Sequence, residues 1–395
     1  MIFSNIGKIA TFNPSSGDVE ISDDSHIFIQ DGNIAEHAEG ELFDCGGGLV
    51  TPGFVDPHTH PVYVDAREDE IAQRLSGASY EEIAAAGGGI NSSIRAVRDA
   101  DKDDLVERVS KRMDRFLSLG TTTVEAKSGY GLNTDSELKS LQVIDEVNKF
   151  HEIDIIPTFL GAHAVPPEFK NDTDAYVNLL CDEMIPIVSR QGVAIFCDVF
   201  CENGYFDSDQ SRRILTVARE HGMKLRMHAD EFEDSGAAEL AGELQAVSAD
   251  HLMAVSEAGI KALKDNNVVA VLLPGTTHFL GKESYAPARK LIDEGITVAL
   301  ASDFNPGSCR IRSMPFILSL AVEEMHLTIE EAFAAATYHA AQSLGIEYRV
   351  GSIEIGKQAD LIVWDVESLE EIPSREDTLP IRAVFKRGKR FEVSA

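Results

Sequence analysis

Tryptophan occurs once and cysteine five times in 395 residues. The cysteines (Cys45, Cys181, Cys197, Cys201 and Cys309) are odd in number and scattered. That excludes a disulfide framework and agrees with a reducing compartment. Basic residues are also scarce: 35 Lys+Arg against 66 Asp+Glu leave a net charge of −31. A surface that negative repels phosphate backbones and anionic headgroups, so neither nucleic acid nor a membrane is an expected partner. An anionic small molecule would need a local island of positive charge. Long apolar runs are missing: residues 268–273 are typical and fall far short of the roughly 18 that a membrane helix requires. Asn5 and Lys8 interrupt the first stretch before it reaches signal-peptide length, and the expected location is the cytoplasm. There is no G-x-G-x-x-G fingerprint, tandem repeat or low-complexity segment.

What is present is ample material for a core, 44% of residues being hydrophobic. Residues 1–51 hold short strand-like pieces such as IGKIATF and HIFIQ, the latter followed by a turn signal at Asp31-Gly32-Asn33. The tail repeats the style in DLIVWD and IRAVFKRGKRFEV. The two ends, 1–51 and 350–395, therefore predict one small composite β-sandwich domain built from both termini. Residues 52–349 instead alternate apolar runs with helical patterns, the signature of a parallel sheet. Strands are expected to end near His58/His60, Glu125, His163, Phe200, His228, His251, Pro274 and Asp303. Helices are expected at 103–118, 135–150, 208–221 and 286–294, with an insertion after the first strand at 61–119. Eight strands over about 250 residues is the scale of an α/β fold of the (β/α)8 TIM-like barrel type. The alternative is an open doubly wound sheet, which lacks its nucleotide fingerprint here.

Polar residues recur at the predicted strand ends, where a barrel places its active site: His58, His60, His163, Glu202, His228, His251 and Asp303. In His58-Thr59-His60 the side chains at i and i+2 share a face of the strand, so both imidazoles can enter the barrel. Imidazole is a common ligand for zinc or iron, and carboxylates complete such sites. His228 after KLRM and Asp303 after VALAS would bring the set to three nitrogens and one carboxylate, leaving room for water.

The segments TPGFVDPHTH, HADE, SADHL, ALASDFNPGS and GSIEIGKQADLIVWD resemble the amidohydrolase superfamily of metal-dependent barrels. More narrowly, SYEEIAAAGGGI, EAKSGYGL, TFLGAHAVP, DVFCENGYF, SADHL, AVLLPGT and DFNPGS, in that order, resemble the imidazolonepropionase family. Members of that family hydrolyse the cyclic amide C–N bond of 4-imidazolone-5-propanoate to N-formimidoyl-L-glutamate in histidine degradation. The resemblance implies that His58, His60, His228 and Asp303 ligate one Zn2+ or Fe3+ per chain. Superfamily members with two metals bridge them through a carbamylated lysine at strand four, where this chain has Glu202-Asn203. Lys127, on strand two, reads as a structural or ion-pairing residue.

The resemblance also implies that Arg67, Tyr130, His163 and Glu231 hold the substrate's ring and acidic tail, with Asn305, Gly307, Ser308 and Tyr80 as further contacts. Arg67 can grip a carboxylate through two parallel N–H···O bonds, supplying the positive island. Glu231, His251 and Asp303 are the candidate catalytic residues, and the choice of base among them is open. A homodimer is suggested in the same way. The chain departs from the family's pattern at Pro61 and Val64-Asp65, so the path to Arg67 is expected to differ. Cys197 and Cys201 lack zinc-motif spacing and are expected to be buried; His278 is a loop candidate. A metal-dependent deaminase of a cyclic amidine or purine-like base would use the same donors, including the His228–Glu231 spacing. Arg67, GGGI and SGYG instead suit a small ring with an acidic side chain, and ammonia release would distinguish the two. A non-catalytic scaffold should lack one of the donors, and all four positions are filled.

Overall fold

The computed structural model describes residues 1–67, 70, 73, 88–375 and 378–391. The N-terminal strand-like pieces become β1 (Ile2–Ser4), β2 (Lys8–Asn13), β3 (Asp18–Ser22), β4 (Ile27–Gln30), β5 (Asn33–Ala35), β6 (Leu42–Asp44) and β7 (Leu49–Pro52). Between β4 and β5 the chain reverses in two residues, Gln30 pairing with Asn33. Asp31 and Gly32 both take positive φ (51° and 81°), the backbone that such a turn demands and that glycine adopts without strain.

The barrel consists of β8 (Phe54–Asp56), β9 (Thr121–Lys127), β10 (Asp154–Ala162), β11 (Phe196–Cys201), β12 (Lys224–Ala229), β13 (Ser248–His251), β14 (Val269–Leu272) and β15 (Val298–Leu300). These eight pair in parallel, each with its neighbour in sequence. The ring closes just beyond the first and last strands. Thr59 bridges Phe304, His60 N–H donates to Phe304 O at 2.8 Å, and Asp303 N–H donates to His58 O at 3.1 Å. This closure sets aside the open-sheet alternative. It also places His58, His60 and Asp303 on the seam.

Helices follow the strands as the pattern predicts. Leu105, Val109, Met113, Phe116 and Leu117 form the buried stripe of Lys102–Ser118. An Asp207–Gln210 capping box starts Ser208–Glu220. The first and last barrel strands stop at Asp56 and Leu300, short of the expected ends near His58/His60 and Asp303, and two further boundaries differ beside prolines. Strand seven stops at Leu272, and Pro274 opens a short helix, Pro274–Phe279. The helix expected at 286–294 runs only over Ala288–Asp293, because Pro287 keeps Ala286 out of the helical region. The expected insertion after strand one contains the helix Ile90–Asp99. No helix among the described residues is long and apolar enough to cross a membrane.

Three strands follow the barrel: β16 (Leu361–Trp364), β17 (Ile381–Lys386) and β18 (Lys389–Arg390). They complete a six-stranded sheet, β18-β17-β16-β7-β2-β3, which faces the four-stranded sheet β5-β4-β1-β6. Phe3, Ile27 and Ile29 from one sheet share a core with Val50, Leu361 and Phe385 from the other. The two chain ends thus build one sandwich, as their common composition suggested. Inside the barrel the floor is apolar, with Val55, Ile156, Phe196, Val271 and Ala299 packed on Ala340, Ala341 and Leu344. Charged groups lie nearer the strand ends.

Candidate metal centre

Alternation along the chain after β8 sends His58 and His60 the same way. Thr59 between them turns aside, its hydroxyl donating to Glu125 O at 2.6 Å. The two imidazoles meet with Nε2 atoms 3.1 Å apart. Asp303 Oδ1 stands 3.6 Å from His58 Nε2 and 3.4 Å from His60 Nε2. His228, on β12, brings its ring centroid to 4.5 Å from that of His58. Three overlapping groups have donor atoms within 4.8 Å of one another: His58/His228/His251, His60/His163/His228 and His58/His60/Asp303. His58, His60 and His228 each fall in two of these groups and Asp303 in one with His58 and His60; His163 and His251 complete the other two, and no group among the described residues holds all four expected donors.

Carboxylates hold the far sides of two of these rings. His58 Nδ1 meets Asp250 Oδ2 at 2.6 Å, and Asp250 also accepts from Arg226 at 3.0 Å and Ser248 at 2.5 Å. His228 Nδ1 stands 3.0 Å from Asp198 Oδ2. Asp250 keeps the proton of His58 on Nδ1 and turns its Nε2 lone pair to the centre, while Asp198 draws the Nδ1 edge of His228 by charge. The remaining donors fit a cation by what they lack. His60 Nδ1, both ring nitrogens of His228 and His251 Nδ1 are buried without a hydrogen-bond partner of good geometry among the described residues. Leaving such an atom unpaired costs about 1–3 kcal/mol. Burial, reinforced by neighbouring positive groups, pushes His58 and His60 well below the usual imidazole range, so both offer lone pairs at neutral pH. At His228 burial opposes the charged form, but Asp198 outweighs it and raises the pKa, making Nε2 a more basic donor.

Two residues of the cluster carry strained backbone: His251 at φ 81° and Asp303 at φ 54°. Each costs of order 1–3 kcal/mol, and strain of this kind collects at working sites. Asp303 is held by Thr276, whose hydroxyl donates to Oδ2. Glu231 lies just past β12, buried, with Oε2 3.6 Å from His251 Nε2. Burial and the nearby Asp303 carboxylate push its pKa up to about 8. Glu202 braces this turn by accepting from Phe232 N–H at 2.9 Å.

His163 stacks on His60 with centroids 5.0 Å apart, and Tyr130 lies 5.2 Å from His163. The carbonyls of Pro61 and Tyr63 are tied to Arg112 at 2.8 and 2.6 Å, and Arg67 N–H reaches Pro306 O at 3.1 Å. The path through Pro61 thus brings Arg67 to the loop that follows Asp303. Arg67 Nε and Nη1 are buried without a hydrogen-bond partner among the described residues, and Glu70 Oε2 stands 3.8 Å from Nε. Gly307 lies directly under that guanidinium: a Cβ there would fall 1.3 Å from Arg67 NH2. Asn305 is occupied within its own loop, its amide oxygen accepting from Gly307 N–H at 2.8 Å and Ser308 N–H at 2.7 Å. Ser308 Oγ lies 2.8 Å from Asn305 Nδ2. Tyr80 lies outside the described residues. Cys197 and Cys201 are buried, and His278 is exposed against the ring of Phe316.

Sequence reasoning missed Asp198, Asp250 and Arg226, and it placed Lys127 without its partners. Their only signal was a charged residue inside an otherwise apolar strand, as in FCDVFC and KLRMHA.

Residues 49–391 match the amidohydrolase family. The chain belongs to that family. Within it, the chain is 50% identical over 352 residues to the imidazolonepropionase of Geobacillus kaustophilus, covering 89% of this chain and 83% of the relative. It is 42% identical over 409 residues to that of Alkaliphilus metalliredigens, covering 98% and 97%. Among solved structures, 5-methylcytosine deaminase from Klebsiella pneumoniae superposes with a TM-score of 0.77 at 19% identity, covering 99% of this chain and 98% of that one. A zinc-bound adenosine deaminase from Xanthomonas campestris gives 0.72 at 17%, covering 98% and 92%. At such identities these two likenesses concern the fold.

Proposed function

We propose that the protein hydrolyses the cyclic amide C–N bond of 4-imidazolone-5-propanoate to N-formimidoyl-L-glutamate, a step of histidine degradation in the cytoplasm. The observation that carries this reading is Arg67. Its buried guanidinium rests on the loop that begins at Asp303; Glu70 Oε2 stands 3.8 Å from Nε, but neither Nε nor Nη1 has a hydrogen-bond partner among the described residues, so a substrate carboxylate could find a seat there beside the histidine cluster. A deaminase acting on an uncharged base has no use for such a seat.

His58, His60, His228 and Asp303 would hold one Zn2+ or Fe3+. When bound, such an ion lowers the pKa of its water from 15.7 toward about 7 and polarises a carbonyl oxygen. Arg67 binds the propionate and so fixes the ring between Tyr130 and His163, with Gly307 allowing the guanidinium to approach. Asn305 and Ser308 shape that loop. Asp303 accepts the proton of the attacking water as its oxygen adds to the ring carbonyl carbon. Glu231, still protonated at neutral pH because it is buried beside Asp303, gives its proton to the ring nitrogen as the C–N bond breaks. His251, 3.6 Å from Glu231, orients that carboxyl group and the carbonyl. Residues 52–349 would form the catalytic unit and 1–51 with 350–395 the accessory β unit. Two chains would form a homodimer, which sedimentation can check.

The test is purified protein with 4-imidazolone-5-propanoate, followed by ultraviolet loss of the ring and detection of formimidoyl-glutamate. Metal analysis should give close to one ion per chain, and His58→Ala should be inactive. Ammonia release without ring opening would transfer the protein to the deaminases.

A further inference from the structure

We propose that Lys127 is a positioning residue for the metal centre, tying together the strands that present His58, His60 and His228. The proposal rests on the metal reading above. Lys127 contributes no donor atom to the cluster, yet its side chain is wholly buried within the barrel. An ammonium group is tolerated there only when paired and hydrogen-bonded. Its Nζ donates to Asp198 Oδ2 at 2.8 Å and Glu125 Oε1 at 2.9 Å, and stands 4.0 Å from Asp250 Oδ2. Asp198 and Asp250 are the carboxylates that face His228 Nδ1 and His58 Nδ1.

The backbone of the same residue reaches the other side of the site. Lys127 N–H donates to Thr59 O at 3.0 Å, and Glu125 Oε2 accepts from Thr59 N–H at 3.2 Å. Thr59 is the residue between the two histidines of the first strand. One lysine therefore fixes the H-x-H pair through its main chain and the His228 ring through Asp198. An ion pair that served only the fold could join any two buried charges. This one joins those that orient ligand rings.

The probe is Co2+, added to metal-free protein, with affinity read by chelator competition and geometry by the visible absorption of the bound ion. Replacing a group that orients metal ligands typically weakens the metal by 10–100-fold. Lys127→Met should show a loss of that size and an altered Co2+ spectrum. Because it leaves buried carboxylates uncompensated, Lys127→Met/Glu125→Gln is the companion: it removes one buried charge of each sign and keeps Asp198 and Asp250. It should regain thermal stability yet retain the weakened affinity and changed spectrum. Co2+ affinity within about threefold of the native protein in a folded variant overturns the proposal. So does failure of both variants to fold, which would assign Lys127 to the fold alone. Native protein that takes up no Co2+ at His58, His60 and His228 would instead overturn the metal reading itself.

Discussion

Glu231 and Asp303 are both carboxylates at one site, and burial separates their tasks. Glu231 sits in the interior beside a second negative group, and its pKa rises to about 8. A group that works as a proton donor is active in its protonated form, so kcat/KM should fall as pH rises through about 8. Glu231→Gln should lower kcat by about 10²–10⁴-fold and remove that basic limb. A variant that keeps the limb would assign it to another group. Arg67 would work by a different route, since in the proposed reaction it meets the part of the substrate that does not react. A charge-assisted hydrogen bond contributes about 1.5–3 kcal/mol, so Arg67→Met should raise KM by about 10- to 150-fold with a smaller effect on kcat. The carboxamide analogue of the substrate is the control. Native and Arg67→Met proteins should process it alike, and a persisting gap would deny that Arg67 binds the carboxylate.

In the loop 303–308 an element, rather than a side chain, would make the proposed anion seat. Asn305 folds it by accepting from two backbone N–H groups, a turn that its short amide side chain favours. Gly307 then presents bare backbone to Arg67. Gly307→Ala should reproduce the KM phenotype of Arg67→Met, and the double variant should be little worse than either alone, because both changes break one contact. Additive losses, measured by a double-variant cycle in kcat/KM, would show that the two act separately. Such elements were partly legible in the sequence. The barrel strands stood out because apolar runs ended repeatedly in polar residues, and H-x-H just past the first strand pointed to two imidazoles sharing a face. Closure at Thr59 and Phe304 was not legible, since an apolar run reads alike in an open and a closed sheet. Nor were the partners of Lys127, because Asp198 and Asp250 come from strands distant in sequence. A buried charge declares its partner only once the strands are side by side.

The molecule as a whole is held together at the opposite end of the barrel by a charged junction. Asp154, at the start of β10, accepts from Lys386 at 3.0 Å, from Gln358 at 3.1 Å and from Arg387. Lys386 also reaches Asp360 at 2.6 Å. This cluster joins the barrel to strands built from the C-terminal segment, which carry the sandwich. Burial alone would raise the Asp154 pKa, but Lys386, Gln358 and Arg387 outweigh it, and the net direction is downward from 3.8. A carboxylate whose folded pKa is depressed stabilises the fold fully above its unfolded value, and loses that contribution as pH falls through the lower folded value. Asp154→Asn should therefore cost about 1.5–3 kcal/mol near pH 7, the usual range for hydrogen bonds to a charged group, since Lys386 keeps its contact with Asp360. The gap between native and variant proteins should narrow as pH falls below about 3.8. Urea unfolding of both proteins, metal removed beforehand so that ligand protonation does not intervene, measures that gap at pH 7 and again near pH 3. Self-repulsion linked to the net charge of −31 changes alike in both and leaves the difference intact. A gap that stays constant between the two pH values would mean that shape and hydrogen bonding at this junction, not the Asp154 charge, hold the sandwich to the barrel.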